Sequence, residues 1–463
     1  MKKYLPFLYS LGTNAISFVI SAITTFIVPK FLGATDYGYW QLYLFYISYT
    51  GIFHFGWNDG IYLRYGGKKY ADLDKDSLYE QACIQLISQI VIAVIIVCIS
   101  NFLFSEQKKE VLFWVSICMI ITNLRSMFIY ILQMTARIKE YAVVNTIDRI
   151  AFGILVVSLL WFGKEGFRFL IRGDLVCRVI SLSIAIFYCK DIFKIKRRKW
   201  SGIVKEIWMN IDVGSKLMFA NLASMLITGI VRMGIEQTWS IETFGKISLT
   251  LSISNFLIVF INSVGVVIYP MLRNLTPEHQ KDIFIKVNGI FIYSYVILLV
   301  YYPLRYFISI FLPSYQDAVL YIAMLFPICI YEGKISLLYL TYLKALRKEK
   351  ALLFINITTV VLSGILTIIT TKVLKNLDAS VLIICILIFV RGTLSELYLS
   401  KLLDIDVKQD VIREVILSTI FIGANIVLGA GISWALYLGV FVIIAGSKLV
   451  KWKRAGVRNQ NKL

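Results

Sequence analysis

Apolar runs long enough to cross hydrocarbon recur along the whole 463-residue chain, and no other feature restricts its folding as much. A bilayer core is spanned by about 20 consecutive, mostly apolar helical residues. Windows of that kind fall at Phe7–Val28, Tyr37–Tyr62, Tyr79–Leu103, Val111–Thr135, Ala142–Phe162, Phe167–Cys189 and Val213–Ile235. Seven more fall at Lys246–Tyr269, Asn288–Leu312, Ala318–Tyr342, Ala351–Thr371, Ala379–Leu399, Val411–Ala430 and Ile432–Lys448. The pattern predicts an all-α polytopic membrane protein of about fourteen transmembrane helices. Only Leu428-Gly-Ala-Gly-Ile432 parts the last two runs. It reads as a hairpin turn or as the break in a re-entrant segment, and about twelve helices is the alternative count. Composition agrees, since 16% charged residues is far below the soluble average of about 25%. The first run follows Lys2 and Lys3 but continues into Pro29-Lys30 without a small-residue cleavage pattern, so it reads as a retained span starting from Met1.

Lys and Arg fix the expected orientation. With the N-terminus inside, roughly 31 of them lie in cytoplasmic segments, roughly 7 in outside loops and roughly 10 within spans, which puts both termini in the cytoplasm. The densest patch is Lys190 to Lys205, around Lys196-Arg197-Arg198-Lys199, and the tail from Lys448 to Lys462 is similar. The net charge of +20 follows from this positive-inside bias and from attraction to anionic inner-leaflet lipids. No soluble basic domain is present to bind nucleic acid.

The same patch divides the chain into an N-terminal lobe, residues 1–200 with helices 1–6, and a C-terminal lobe, residues 201–405 with helices 7–12. Residues 406–463 add helices 13–14 and the basic tail. The lobes read as a weak repeat. Gly12 to Tyr39 runs glycine, apolar helix, polar turn and Tyr37-Gly38, while Gly214 onward runs the same way to Phe244-Gly245. An even helix count per copy gives both one orientation, so pseudo-symmetric lobes around a central cavity are expected, with the site between them.

Absences narrow the chemistry. No outside connection exceeds about a dozen residues, too little for an extracytoplasmic catalytic domain. No P-loop, GxSxG, HExxH or Gly-rich nucleotide motif occurs, and two histidines, His54 and His279, make no histidine-rich metal site. No catalytic residue, metal or cofactor is expected. Cys83, Cys98, Cys118 and Cys329, like the other three cysteines, sit in apolar spans without CxxC spacing and read as small buried hydrophobes.

The segment Val28-Pro29-Lys30-Phe31-Leu32-Gly33-Ala34-Thr35-Asp36-Tyr37-Gly38-Tyr39-Trp40, followed by Phe55-Gly56-Trp57-Asn58-Asp59-Gly60-Ile61-Tyr62-Leu63-Arg64-Tyr65-Gly66-Gly67, resembles the opening of bacterial polysaccharide (O-antigen repeat-unit) flippases. These belong to the multidrug/oligosaccharidyl-lipid/polysaccharide exporter superfamily, which includes the lipid II flippase. The resemblance implies a carrier in the bacterial cytoplasmic membrane that moves an undecaprenyl-pyrophosphate-linked oligosaccharide from the inner to the outer leaflet by alternating access. It also implies membrane lipids as surroundings, H⁺ or Na⁺ or the membrane potential as driving force, and association with polysaccharide polymerase machinery. A lipid II or other lipid-linked-precursor flippase is the alternative, as is a small-molecule cation antiporter of the same superfamily.

Arginine inside hydrocarbon costs roughly 2.5–3.5 kcal/mol on insertion scales, so each one is a functional candidate. Arg125 has no acid at i±3 or i±4 and must find a partner on another helix or in the cargo. Arg168 and Arg172 share one face of their helix, while Asp174 and Arg178 share another and can pair. Arg391 is deep; Arg305, Arg232 and Arg168 lie near span ends, where snorkelling or interfacial anchoring competes with substrate contact. For a pyrophosphate cargo, Arg125, Arg172, Arg168, Arg178, Arg391, Arg305 and Arg232 are the candidate contacts, Arg125 and Arg172 foremost. Asp59, Glu332, Asp148 and Glu396 are the candidate ion-coupling carboxylates, with pairing to a neighbouring Arg as the competing role. Lys334 and Glu332, two apart, cannot pair with each other.

Overall fold

Among the described residues the apolar runs are helical, because in hydrocarbon the backbone must satisfy its own hydrogen bonds. The structure, a computed structural model, describes residues 5–162, 166–194, 202–256 and 276–460. Among the described residues there are helices, turns and no strands, and nine helices are long and apolar enough to cross a membrane. The chain is an all-α polytopic membrane protein. It divides into two compact units, residues 1–226 with 239–245, and residues 227–238 with 246–463. The first unit therefore continues past residue 200 into the next helix.

Unit 1 contains α1 (Leu5–Leu32), α2 (Ala34–Tyr49), α3 (Trp57–Tyr65), α4 (Lys75–Leu103), α5 (Glu106–Met134), α6 (Ile138–Phe162) and α7 (Phe167–Tyr188). It also takes the first part of α8 (Ile203–Thr238) and the start of α9 (Ile241–Phe256). The central helix is α5, packed against α2, α3, α4, α6 and α7. At one end Trp57, Ile61, Leu78, Phe128, Leu132 and Ile192 close a buried core.

The second expected span, Tyr37–Tyr62, is two helices. A 3₁₀ turn at Thr50–His54 follows α2, and Phe55 and Gly56 then enter the left-handed region at φ 53° and 79°. The carbonyls freed by this break are capped from neighbouring helices: Gln89 Nε2 donates to Phe53 O at 2.8 Å and Asn123 Nδ2 to Thr50 O at 3.0 Å. Hydropathy averaged over the whole run hides such a break, since its cause lies in glycines and in amides from other helices.

Gly56 and Gly60, four residues apart, let α3 lie directly on α8. A Cβ built on Gly60 would stand 1.9 Å from Asn210 O, and one on Gly214 would stand 1.9 Å from Gly56 O. This is the small-xxx-small approach common between membrane helices. Arg64 Nη1 then reaches Glu206 Oε1 at 2.9 Å and Asn210 Oδ1 at 2.5 Å. At the other end Gly38 meets Ile241 and Gly245, the glycine aligned with it in the sequence repeat, and Thr35 Oγ1 donates to Glu242 at 2.5 Å.

Unit 2 continues with α10 (Glu278–Phe311), α11 (Ala318–Ala345), α12 (Glu349–Val373), α13 (Leu377–Leu403), α14 (Lys408–Val427) and α15 (Ala430–Gln460). The two helices α14 and α15 are joined through Leu428 and Gly429, so the final pair is a hairpin. The eighth expected span, Lys246–Tyr269, is described only as far as Phe256; the rest lies outside the described residues. The core helix is α11, with 83% of its apolar window buried, whereas only 17% of the α15 window is. One π-helical turn, Ile335–Tyr339, interrupts α11 directly after Lys334.

Candidate functional site

In unit 1 the intramembrane charges gather where α5, α6 and α7 meet. Arg125 Nη2 lies 3.0 Å from Asp148 Oδ2 on α6. Its Nε donates to Ser181 Oγ on α7 at 2.7 Å, and Nη2 also donates to Val144 O at 3.2 Å. The partner required by an arginine without a local acid is thus a carboxylate one helix away. On α7, Arg178 Nε donates to Asp174 Oδ2 at 2.7 Å, and the same oxygen accepts from Tyr43 Oη of α2 at 2.8 Å. Arg178 and Asp174 act electrostatically on Arg125. Two arginines and two aspartates therefore form one cluster, and Arg149, next to Asp148 on α6, also acts on Arg125.

Arg168 and Arg172 are arranged differently. Arg168 makes a two-pronged contact with Glu110, Nε–Oε1 2.6 Å and Nη2–Oε2 2.7 Å, and the pair lines an open polar pocket with Asn101 and Lys109. Arg172 is exposed, its guanidinium 5.8 Å from the centre of the Trp114 ring, and it makes no ion pair among the described residues. No hydrogen bond or ion pair among the described residues joins it to the Arg125 cluster.

Asp59 is buried near the start of α3, with His54 Nε2 at 3.9 Å and the Tyr130 phenol facing it. Beside it, Asn58 donates to Asn123 O at 2.9 Å and to Ser126 Oγ at 2.6 Å, and accepts from Gln85 at 2.9 Å. Gln81 accepts from Trp57 Nε1 and from Asn210 Nδ2. Chains of buried amides of this kind hold their members in fixed orientations at low dielectric.

In unit 2, Arg391 is 3% exposed; its Nε donates to Asn356 Oδ1 at 3.0 Å, and its Nη1 lies 3.5 Å from Glu332 Oε1. Glu396 does not join this pair. It accepts from Lys334 Nζ at 3.1 and 3.2 Å and from Tyr339 Oη at 2.6 Å. Lys334 also donates to Glu414 Oε1 at 2.6 Å. Arg232 Nη2 donates to Ser248 Oγ at 3.0 Å, and Arg305 lies beside the Tyr301 phenol.

The structure thus brings Arg125, Asp148, Asp174 and Arg178 into one group, Arg391 with Glu332, and Glu396 with Lys334. Sequence reasoning missed Glu414, although it is an acid inside an apolar run and the rule that selected the arginines applies to it equally. It also missed Tyr43, Tyr339 and the Gln81–Gln85–Gln89 series. The three glutamines lie at i, i+4 and i+8 on α4, and that polar stripe was the available signal.

No family model matches the sequence, and no curated protein matches it. Solved structures do. The chain superposes on "Lipid II flippase MurJ, inward closed conformation" with a TM-score of 0.67 at 12% identity, covering 98% of this chain and 99% of that one. It superposes on an inward-facing multidrug resistance MATE family transporter of the MOP superfamily with a TM-score of 0.62 at 11% identity, covering 90% and 98%. The chain therefore has the all-α membrane fold shared by the lipid II flippase MurJ and the MATE transporters of the MOP superfamily.

Proposed function

We propose that this protein is a flippase that carries an undecaprenyl-pyrophosphate-linked oligosaccharide repeat unit from the inner to the outer leaflet of the bacterial cytoplasmic membrane. The observation that carries the reading is the end-to-end likeness to the lipid II flippase, together with the sequence likeness of residues 28–40 and 55–67 to polysaccharide flippases. Intramembrane arginine supports an anionic cargo over a cationic one. Arg172 is open to a ligand, and a guanidinium offers the planar fork that a diphosphate accepts. Arg125 is held by Asp148 and Ser181, so a diphosphate would have to compete with Asp148 for its remaining donors. The chain acts without covalent chemistry, both termini face the cytoplasm, and the membrane potential assists, at about 2.3 kcal/mol per charge per 100 mV.

The test is transport by the purified chain in vesicles loaded with an undecaprenyl-pyrophosphate oligosaccharide, read by an impermeant lectin. Wild type should raise lectin-accessible sugar. Arg172→Lys and Arg125→Lys should slow it with normal protein levels, and Arg172→Glu should abolish it. If lipid II is moved at the same rate, the cargo is a lipid-linked precursor without sugar selectivity; if neither lipid moves, the reading fails.

A further inference from the structure

We propose that Glu396 and Glu414, bridged by Lys334, form a binding site for one exchangeable proton. All three side chains are 5% exposed or less and lie on three different helices, α13, α14 and α11. One ammonium faces two carboxylates, so the trio carries one negative charge more than it can neutralise. A buried surplus charge is costly, and a carboxylate removes it by taking up a proton.

The surrounding groups leave that surplus in place. Arg391 is turned to Glu332 and Asn356. From α11, Tyr339 donates to Glu396, and Tyr331 donates to Ser418 Oγ at 2.5 Å; from α10, the Tyr295 phenol faces Glu414. From α14, Asp410 lies one turn before Glu414 and binds Lys448 Nζ at 2.7 Å and Arg413 Nη1 at 3.0 Å. Both cations bind Asp410, and among the described residues neither is within ion-pair distance of Glu414, whose one ion pair is with Lys334. Asp410, Glu414 and Ser418 stand at four-residue steps, so one face of α14 carries polar groups from that end to the trio. The π turn at Ile335–Tyr339 places the Tyr339 ring 5.4 Å from Lys334 Nζ, and interruptions of this kind frequently mark functional positions. Lys334 Nζ sits 2.6–3.2 Å from three carboxylate oxygens, occupying the place a sodium ion would need. The geometry therefore points to H⁺ and not Na⁺.

That this proton is exchanged for cargo rests on the flippase reading; that the pair binds it does not. Infrared difference spectra of the purified full-length chain, recorded between acid and alkaline pH, need no substrate and separate the two. In the Asp59→Asn background, which removes the other buried carboxylate assigned to coupling, acidification should raise the carbonyl stretch of one buried protonated carboxyl. Glu414→Gln should remove that band, and sodium chloride at fixed pH should leave it unchanged. Lys334→Met should raise its amplitude about twofold, because two carboxylates without their cation both take up protons. Should Glu414→Gln fail to fold, Glu396→Gln and Lys334→Met report on the same band. An Asp59→Asn spectrum without the band, a band that survives in Glu414→Gln, or one displaced by sodium overturns the site. If the band behaves as stated and no lipid moves, the flippase reading fails and the proton site stands.

Discussion

Gly60→Ala changes the protein by one methyl group at a contact made entirely of backbone. The new Cβ would stand 1.9, 2.4 and 2.7 Å from Asn210 O, C and Cα. An ordinary contact begins at 3.4 Å, so α3 and α8 must part by about 1.5 Å along that line, since membrane helices pack this closely only through small residues. Parting strains Arg64, whose bonds to Asn210 and Glu206 span the same crossing, and the 2.8 Å bond from Asn210 to Gln81. Overpacking of this kind costs about 1–3 kcal/mol. In a unit of this size that lowers the melting temperature by about 2–4 °C for each kcal/mol. Gly364, with nothing within 4 Å of its added Cβ, is the control; alanine there should be neutral or stabilising by up to about 1 kcal/mol. The assay is thermal unfolding of the purified chain for Gly60→Ala, Arg64→Ala and the double variant. Because Arg64 depends on the same approach, the two effects should fall short of additivity by at least about 0.5 kcal/mol. Wild-type melting of Gly60→Ala, or strict additivity, would refute the close crossing.

Three further outcomes are expected. Arg125→Ala leaves Asp148 with an uncompensated charge and should destabilise by about 3–5 kcal/mol, whereas Arg125→Met with Asp148→Leu should cost far less; equal losses in thermal unfolding would show that the pair is not coupled. Asp59→Asn should express normally and weaken the pH or Na⁺ dependence of lipid transport, and an unchanged dependence removes Asp59 as a coupling group. A single cysteine at position 198 should resist an impermeant thiol reagent in intact cells while one at position 35 reacts, and labelling at 198 from outside reverses the orientation.

Hydropathy alone made the helical membrane class legible, because about 20 apolar residues in hydrocarbon have one practical way to satisfy their backbone. Local spacing likewise determined Arg178 with Asp174, a contact made along one helix face at i, i+4. Spacing also excluded Lys334 with Glu332, which stand two apart. Contacts between helices depend on rotation and depth, which hydropathy does not encode. Only the tertiary structure gave Asp148 to Arg125, Glu332 to Arg391, and both Glu396 and Glu414 to Lys334. The break after Tyr49 belongs to the same class. Gly51, His54, Gly56, Asn58 and Asp59 were its local signal, but what caps it is a set of amide donors on α4 and α5 that reach the freed carbonyls only once the helices have packed.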